Sequence, residues 1–112
     1  MAPRKQGLII NISSFGGMKY IFNVPYGIGK CAVDRMAADC ATELKDSNVT
    51  MISFYPGAVK TELIQSAISK NIVETEESLK KKGGRTLEQV FENGETPEFS
   101  GKILVALTQG TI

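Results

Sequence analysis

The chain has no histidine, only two cysteines and almost no net charge, and each shortage removes a class of function. Without histidine, and with Cys31 and Cys40 as its only thiols, it offers no plausible ligand set for zinc. Those cysteines stand nine positions apart on one predicted helix. At about 100° per residue they fall on opposite sides of it and cannot pair there. Both are expected to stay reduced, which favours an intracellular compartment. A net charge of +1 gives no electrostatic case for nucleic acid or an anionic membrane. The basic run Lys80-Lys81-Lys82 is offset by Glu74, Glu76 and Glu77 and reads as a solvated face. No apolar run approaches the ~20 residues of a transmembrane helix. The stretch Met1-Ala2-Pro3-Arg4-Lys5-Gln6 lacks the apolar core of a signal peptide. Internal repeats and low-complexity tracts are also missing.

What remains is an ordinary globular composition, 42% apolar and 22% charged, over 112 residues, enough for one small domain. Leu8 to Ile12 is short, apolar on both sides except at Asn11, and rich in β-branched residues, which predicts a strand buried on both faces. Ser13-Ser14 follow it, and Phe15-Gly16-Gly17 break it. Asn23 and Pro25 form a helix start. The helix runs from Tyr26 to about Lys45, with Tyr26, Lys30, Val33, Ala37, Cys40 and Leu44 in one stripe and Asp34, Arg35, Asp39 and Glu43 elsewhere. Ser47-Asn48 close it, Val49 to Tyr55 read as a second buried strand, and Pro56-Gly57 end that strand abruptly. Strand, helix, strand in this order fits one right-handed parallel crossover. Thr61 to Ser69 predicts a short amphipathic helix on Leu63, Ile64, Ala67 and Ile68. Residues 71–85 read as charged and mobile, and Thr96-Pro97-Glu98 as the capped start of a last helix through Leu107. Two parallel strands do not make a stable doubly wound sheet, so the chain is expected to be part of a larger α/β domain.

The chemistry centres on Tyr26 and Lys30. Positions i and i+4 share a helix face, so the ammonium can lie close to the phenol. A free phenol titrates near pKa ~10, too high for proton transfer at neutral pH, and a fixed cation beside a phenol favours its ionised form. A lysine at the start of a core-facing stripe is odd unless it faces a cleft. Ligands of parallel α/β sheets bind outside the carboxyl ends of the strands. Ser13-Ser14, Tyr26-Lys30 and Pro56-Gly57 all belong to that rim. A phosphate-loop reading of Gly27-Ile28-Gly29-Lys30 fails, because Val24 stands where the first glycine is needed and Cys31 replaces the serine or threonine.

In this order and spacing, three segments resemble the short-chain dehydrogenase/reductase family of classical type: Gly7-Leu-Ile-Ile-Asn-Ile-Ser-Ser14, Tyr26-Gly-Ile-Gly-Lys30 and Tyr55-Pro-Gly-Ala-Val-Lys-Thr61. The likeness is strongest to a mammalian dehydrogenase/reductase subgroup and runs from Gly7 to about Leu107. It implies a partial Rossmann-like, doubly wound parallel sheet in which residues 1–112 form the catalytic-side portion of one domain. Residues 70–86 would be a variable loop in the substrate region. It further implies an oxidoreductase passing a hydride between NADP(H) or NAD(H) and a small-molecule carbonyl or secondary alcohol. Tyr26 would be the proton donor, and Lys30 would favour the ionised tyrosine and bond the nicotinamide ribose. Ser14 would orient the carbonyl, with Ser13 the alternative favoured by the serine-to-tyrosine spacing. Pro56, Gly57 and Val59 would line the nicotinamide pocket, and Thr61 would contact the cofactor's carboxamide or phosphate side.

The departures are equally informative. The family's glycine-rich cofactor turn is missing, since Gly16-Gly17 and Gly83-Gly84 have neither its spacing nor its context. Its Asn-Ala-Gly strand and its relay asparagine are missing too. The chain therefore corresponds to the central-to-late part of a family domain, with Met1 read as an internal methionine. Coenzyme choice is left open, as are a cytoplasmic or endoplasmic-reticulum location and a homo-oligomer of the longer protein. A second reading makes the chain a catalytically inactive truncated product acting only through protein contacts, because apolar strands without partners tend to pair with other chains.

Overall fold

A computed structural model describes residues 1–69, 89 and 91–110. Its internal contacts form two compact units, Met1–Pro56 and Gly57–Ile112. The first unit is the expected crossover. Strand β1 (Gly7–Ile12) leads through a short helical turn at Phe15–Gly17 to helix α1 (Val24–Glu43), and β2 (Val49–Phe54) follows. The strands pair in parallel, with Gly7 opposite Val49 and Ile12 opposite Phe54. Both therefore end at the same rim, and Ser13 prolongs the pairing by donating its N–H to the Phe54 carbonyl at 2.9 Å.

Local chemistry explains the boundaries of α1. The Asn23 side chain accepts the Tyr26 N–H at 2.8 Å, and Pro25 sits in the first turn, where a missing N–H costs nothing. Glu43 is the last helical residue. After a further turn at Lys45–Ser47, Asn48 takes the left-handed conformation (φ 52°) and reverses the chain into β2. Asparagine tolerates that region better than most residues. The Asn48 amide also donates to the Lys5 carbonyl at 2.9 Å, tying the amino-terminal segment to this corner.

Helix α1 packs chiefly on β2 and less on β1, and the core of the unit is Ala37 against Val49 and Met51. The expectation of strands buried on both faces is corrected here. Gly7 to Asn11 are half-buried and Ile12 is 49% exposed. Within the first unit α1 contacts β1 far less than β2, so most side chains of β1 have too few neighbours there to be fully covered.

In the second unit, Val59 bridges Glu95. Lys60 donates its N–H to the Glu95 carbonyl at 2.8 Å, and Glu95 donates to the Ala58 carbonyl at 2.6 Å. Helix α2 (Glu62–Ser69) starts where the Thr61 hydroxyl accepts the Ile64 N–H at 3.2 Å. Helix α3 (Pro97–Thr108) begins after Thr96, but the Thr96 side chain makes no capping bond, contrary to expectation. Proline at the first helical position leaves one donor fewer to satisfy, and the Phe99 N–H reaches the Thr96 carbonyl at 3.1 Å instead. The charged stretch 71–85, the basic run at Lys80 and the whole of the expected loop at 70–86 lie outside the described residues.

Candidate active site

The carboxyl ends of β1 and β2 carry the polar side chains, and the pleat decides which way each one points. Asn11 and Ser13 are two apart, so they share the sheet face toward α1. The Asn11 amide donates to the Val33 carbonyl at 3.4 Å, and the Ser13 hydroxyl to the Lys30 carbonyl at 3.5 Å. Both bonds are long, hence weak. Ser13 is only 3% exposed. Ser14 points elsewhere. It is half-buried, and its hydroxyl accepts the Gly16 N–H at 3.1 Å, capping the turn at Phe15–Gly17.

That turn is the floor on which Tyr26 rests. A Cβ added to Gly16 would lie 2.9 Å from Cδ1 of the Tyr26 ring and still closer to its neighbouring carbon, so only glycine leaves room. The opposing wall is Phe22, whose ring meets that of Tyr26 edge-on, with centroids 5.1 Å apart at 90°. Phe22 adopts φ 63°, a costly conformation for a bulky residue and one that sets its ring beside the helix start. Lys30, one turn along α1, has its ammonium 5.9 Å from the Tyr26 ring centroid, and it donates to the Ile12 carbonyl at 3.0 Å. Tyr26 and Lys30 thus share one face over the end of β1. Among the described residues the Tyr26 hydroxyl has no hydrogen-bond partner.

One more turn along α1 stands Asp34, which the helical stripe had placed away from the core. The Tyr55 hydroxyl donates to its Oδ2 in a very short hydrogen bond. Among the described residues its other oxygen, Oδ1, has no partner within hydrogen-bond distance, and the Ser53 hydroxyl, though close enough to act on the carboxylate, has none either. The bond from Tyr55 holds the Asp34 carboxyl below the usual carboxylate range, helped by Ser13, Ser53 and the Lys30 charge and opposed by burial. The same bond raises Tyr55 above the ordinary phenol value, with burial adding to it. Asp34 and Tyr55, with Ala37, Ala38, Ala41, Met51, Ile52 and Ser53, line an open cleft of about 400 Å³ beside the helix. The available sequence signal was the i+4 step from Lys30 to Asp34. The donor 21 residues further on was invisible to local periodicity.

The remaining sequence-derived residues sit as follows. Pro56 is half-buried just after β2 in the first unit. In the second, Gly57 is exposed and a Cβ there would press on the Glu95 carboxylate, 2.8 Å from its Cδ. Val59 is held by its bridge to Glu95, and the Thr61 hydroxyl is engaged at the start of α2. Cys31 and Cys40 are free thiols, exposed and half-buried respectively. No group of side chains that could hold a metal occurs among the described residues, nor any helix long and apolar enough to cross a membrane.

In sequence and fold the chain is similar to known proteins. The family model described as short chain dehydrogenase matches residues 1–72. Human "Dehydrogenase/reductase SDR family member 1" is 47% identical over 107 residues, which are 96% of this chain and 33% of that protein. The "NADPH-dependent pterin aldehyde reductase" of Arabidopsis thaliana is 32% identical over 72 residues, 63% of this chain and 29% of that one. Among solved structures, a putative short-chain dehydrogenase/reductase from Burkholderia xenovorans superposes with a TM-score of 0.58 at 27% identity, covering 72% of this chain and 31% of that one. The chain spans about one third of the length of the human and mouse relatives that it matches. Its α/β crossover is thus a portion of a Rossmann-like domain, and the chain belongs to the short-chain dehydrogenase/reductase family of oxidoreductases.

Proposed function

We propose that this chain carries the proton-transfer side of a nicotinamide-dependent carbonyl reductase, with Tyr26 as the general acid. The observation that supports this most is the Tyr26–Lys30 pair standing over the end of β1, its phenol hydroxyl uncommitted among the described residues. In that place Tyr26 gives its proton to the oxygen of a ketone or aldehyde, or takes one from a secondary alcohol in reverse. Lys30 holds a positive charge beside the developing phenolate while one of its N–H donors remains on the Ile12 carbonyl. Ser14 orients the substrate oxygen. Of the adjacent serines it is the less buried, and its hydroxyl proton is free to donate while its oxygen accepts from Gly16. Ser13 faces the helix and supports the site from behind.

The residues present fit NADP(H) or NAD(H) in their donor chemistry. Lys30 has N–H donors left for the hydroxyls of a ribose. The Thr61 hydroxyl accepts at α2 and keeps its proton to give to a carboxamide or phosphate oxygen. The family pattern adds Pro56, Gly57 and Val59 as further cofactor contacts. When bound, the dinucleotide supplies the hydride for the carbonyl carbon. No observation among the described residues favours the contact-only alternative.

The reaction class is tested on a longer protein that contains this chain. It is mixed with NADPH or NADH and a panel of ketones and aldehydes, and the nicotinamide absorbance is followed. Substrate-dependent loss of that absorbance is expected. No turnover with any carbonyl or alcohol, in a folded protein that binds the cofactor, would refute the assignment.

A further inference from the structure

The packing of α1 on the sheet leaves a mechanical question open. Ala37, Ala38 and Ala41 face the β2 side, and an open cleft of about 400 Å³ runs beside them. Small side chains let a helix approach closely, yet they interdigitate little and resist rolling about the helix axis only weakly. Rolling matters here, because the reactive end of Tyr26 lies off that axis. A roll of about 10° moves an atom ~6 Å from the axis by roughly 1 Å. Misplacement on that scale can cost about 100-fold in rate.

The bonds that oppose such a roll are unequal. Asn11 and Ser13 reach helix carbonyls only at 3.4 Å and 3.5 Å. Lys30 is itself part of the pair to be positioned. Among the described residues, the remaining side-chain hydrogen bond between α1 and the strand ends is that from Tyr55, just past the end of β2, to the Asp34 carboxylate. It is charge-assisted and part-buried, the strongest type of hydrogen bond available to such side chains. It lies one turn from Lys30 and two turns from Tyr26.

We propose that Asp34 is the positioning residue of this site, clamped by Tyr55 so that the rotation of α1, and with it the stance of Tyr26 and Lys30 over the strand ends, is fixed. The proposal rests on the reading of Tyr26 as the acid for its functional meaning, but the clamp has a readout that does not need activity. Tyr26 lies against Gly16, so the nuclear Overhauser effect between the Tyr26 ring and the Gly16 Hα measures that stance in the 112-residue chain.

Three variants decide it, with β1–β2 contacts as the check that each is folded. Tyr55→Phe and Asp34→Ala are expected to weaken the Tyr26–Gly16 effect severalfold. Asp34→Asn, whose amide oxygen still accepts from Tyr55, is expected to recover most of it. If Asp34→Ala fails to fold, Tyr55→Phe and Asp34→Asn decide alone. An unchanged effect in folded Tyr55→Phe overturns the clamp, since a merely stabilising bond would lower stability without moving the ring. In the longer protein, Tyr55→Phe is expected to lower kcat ~10–100-fold at nearly constant KM. Lost ring contact with unchanged kcat would leave the clamp standing and overturn the role given to Tyr26. Retained ring contact with an active enzyme would do the reverse.

Discussion

Replacing Gly16 by alanine is the smallest change that reaches the site without touching a polar group. The added methyl would stand 2.9 Å from Tyr26 Cδ1, closer to the adjoining ring carbon, and 3.5 Å from Cζ, where ordinary contacts begin at about 3.4 Å. Something must therefore yield by about half an ångström or more. The ring cannot simply swing aside, because Phe22 closes its other flank at 5.1 Å and Lys30 lies across it at 5.9 Å from the centroid. The turn below cannot sink freely either, because Ser14 caps it and a Cβ on neighbouring Gly17 would already sit 3.0 Å from the Cys31 nitrogen. Overpacking of this sort costs about 1–3 kcal/mol. Urea unfolding of the 112-residue chain should show a loss in that range, and the longer protein should lose roughly 100-fold in kcat through displacement of Tyr26. A variant within about 0.5 kcal/mol of the parent and within threefold of its rate would refute the claim that Gly16 seats the tyrosine.

Three further perturbations bear on the same elements. Asn23→Ala removes the acceptor of the Tyr26 N–H and should cost about 1 kcal/mol in denaturant unfolding, with Asn23→Asp nearly neutral. The Asp34–Tyr55 bond should shape the pH dependence of stability. Asp34 is depressed, so its contribution is present above the ordinary carboxylate pKa of ~3.9 and is lost as pH falls through its folded value; Tyr55 is raised, so its contribution is full below ~10 and is lost as pH rises through its folded value. The stability difference between the parent and Tyr55→Phe should therefore be flat between those limits and shrink outside them, and a difference unchanged at either extreme would argue against the bond. Finally, Ser14→Ala should depress kcat of the longer protein far more than Ser13→Ala, which should mainly lower stability because Ser13 is buried against the helix; the opposite order would return the substrate contact to Ser13.

The parts of this fold that local rules govern were legible in the sequence. The Asn23 cap, the Asn48 reversal and the shared face of Tyr26 and Lys30 each follow from residues within four positions of one another. What escaped depends on distant partners. Asp34 fell outside the core-facing stripe, and its donor, Tyr55, belongs to the end of another element. Gly16 looked like a strand breaker, whereas its lack of a side chain makes room for a ring ten residues on. The burial of the strands was overestimated for a related reason. An apolar run states what a strand can tolerate, and the neighbours that cover it are a tertiary matter.

The central claim is that Tyr26 moves the proton. The direct measurement is Tyr26→Phe in the longer protein, with turnover and cofactor affinity recorded on the same sample. The phenyl ring keeps the contacts with Gly16 and Phe22, so the fold should survive the change. A fall in kcat of about 100-fold or more, with cofactor binding within a few-fold of the parent, is the predicted result. Carbonyl reduction within threefold of the parent rate would contradict it.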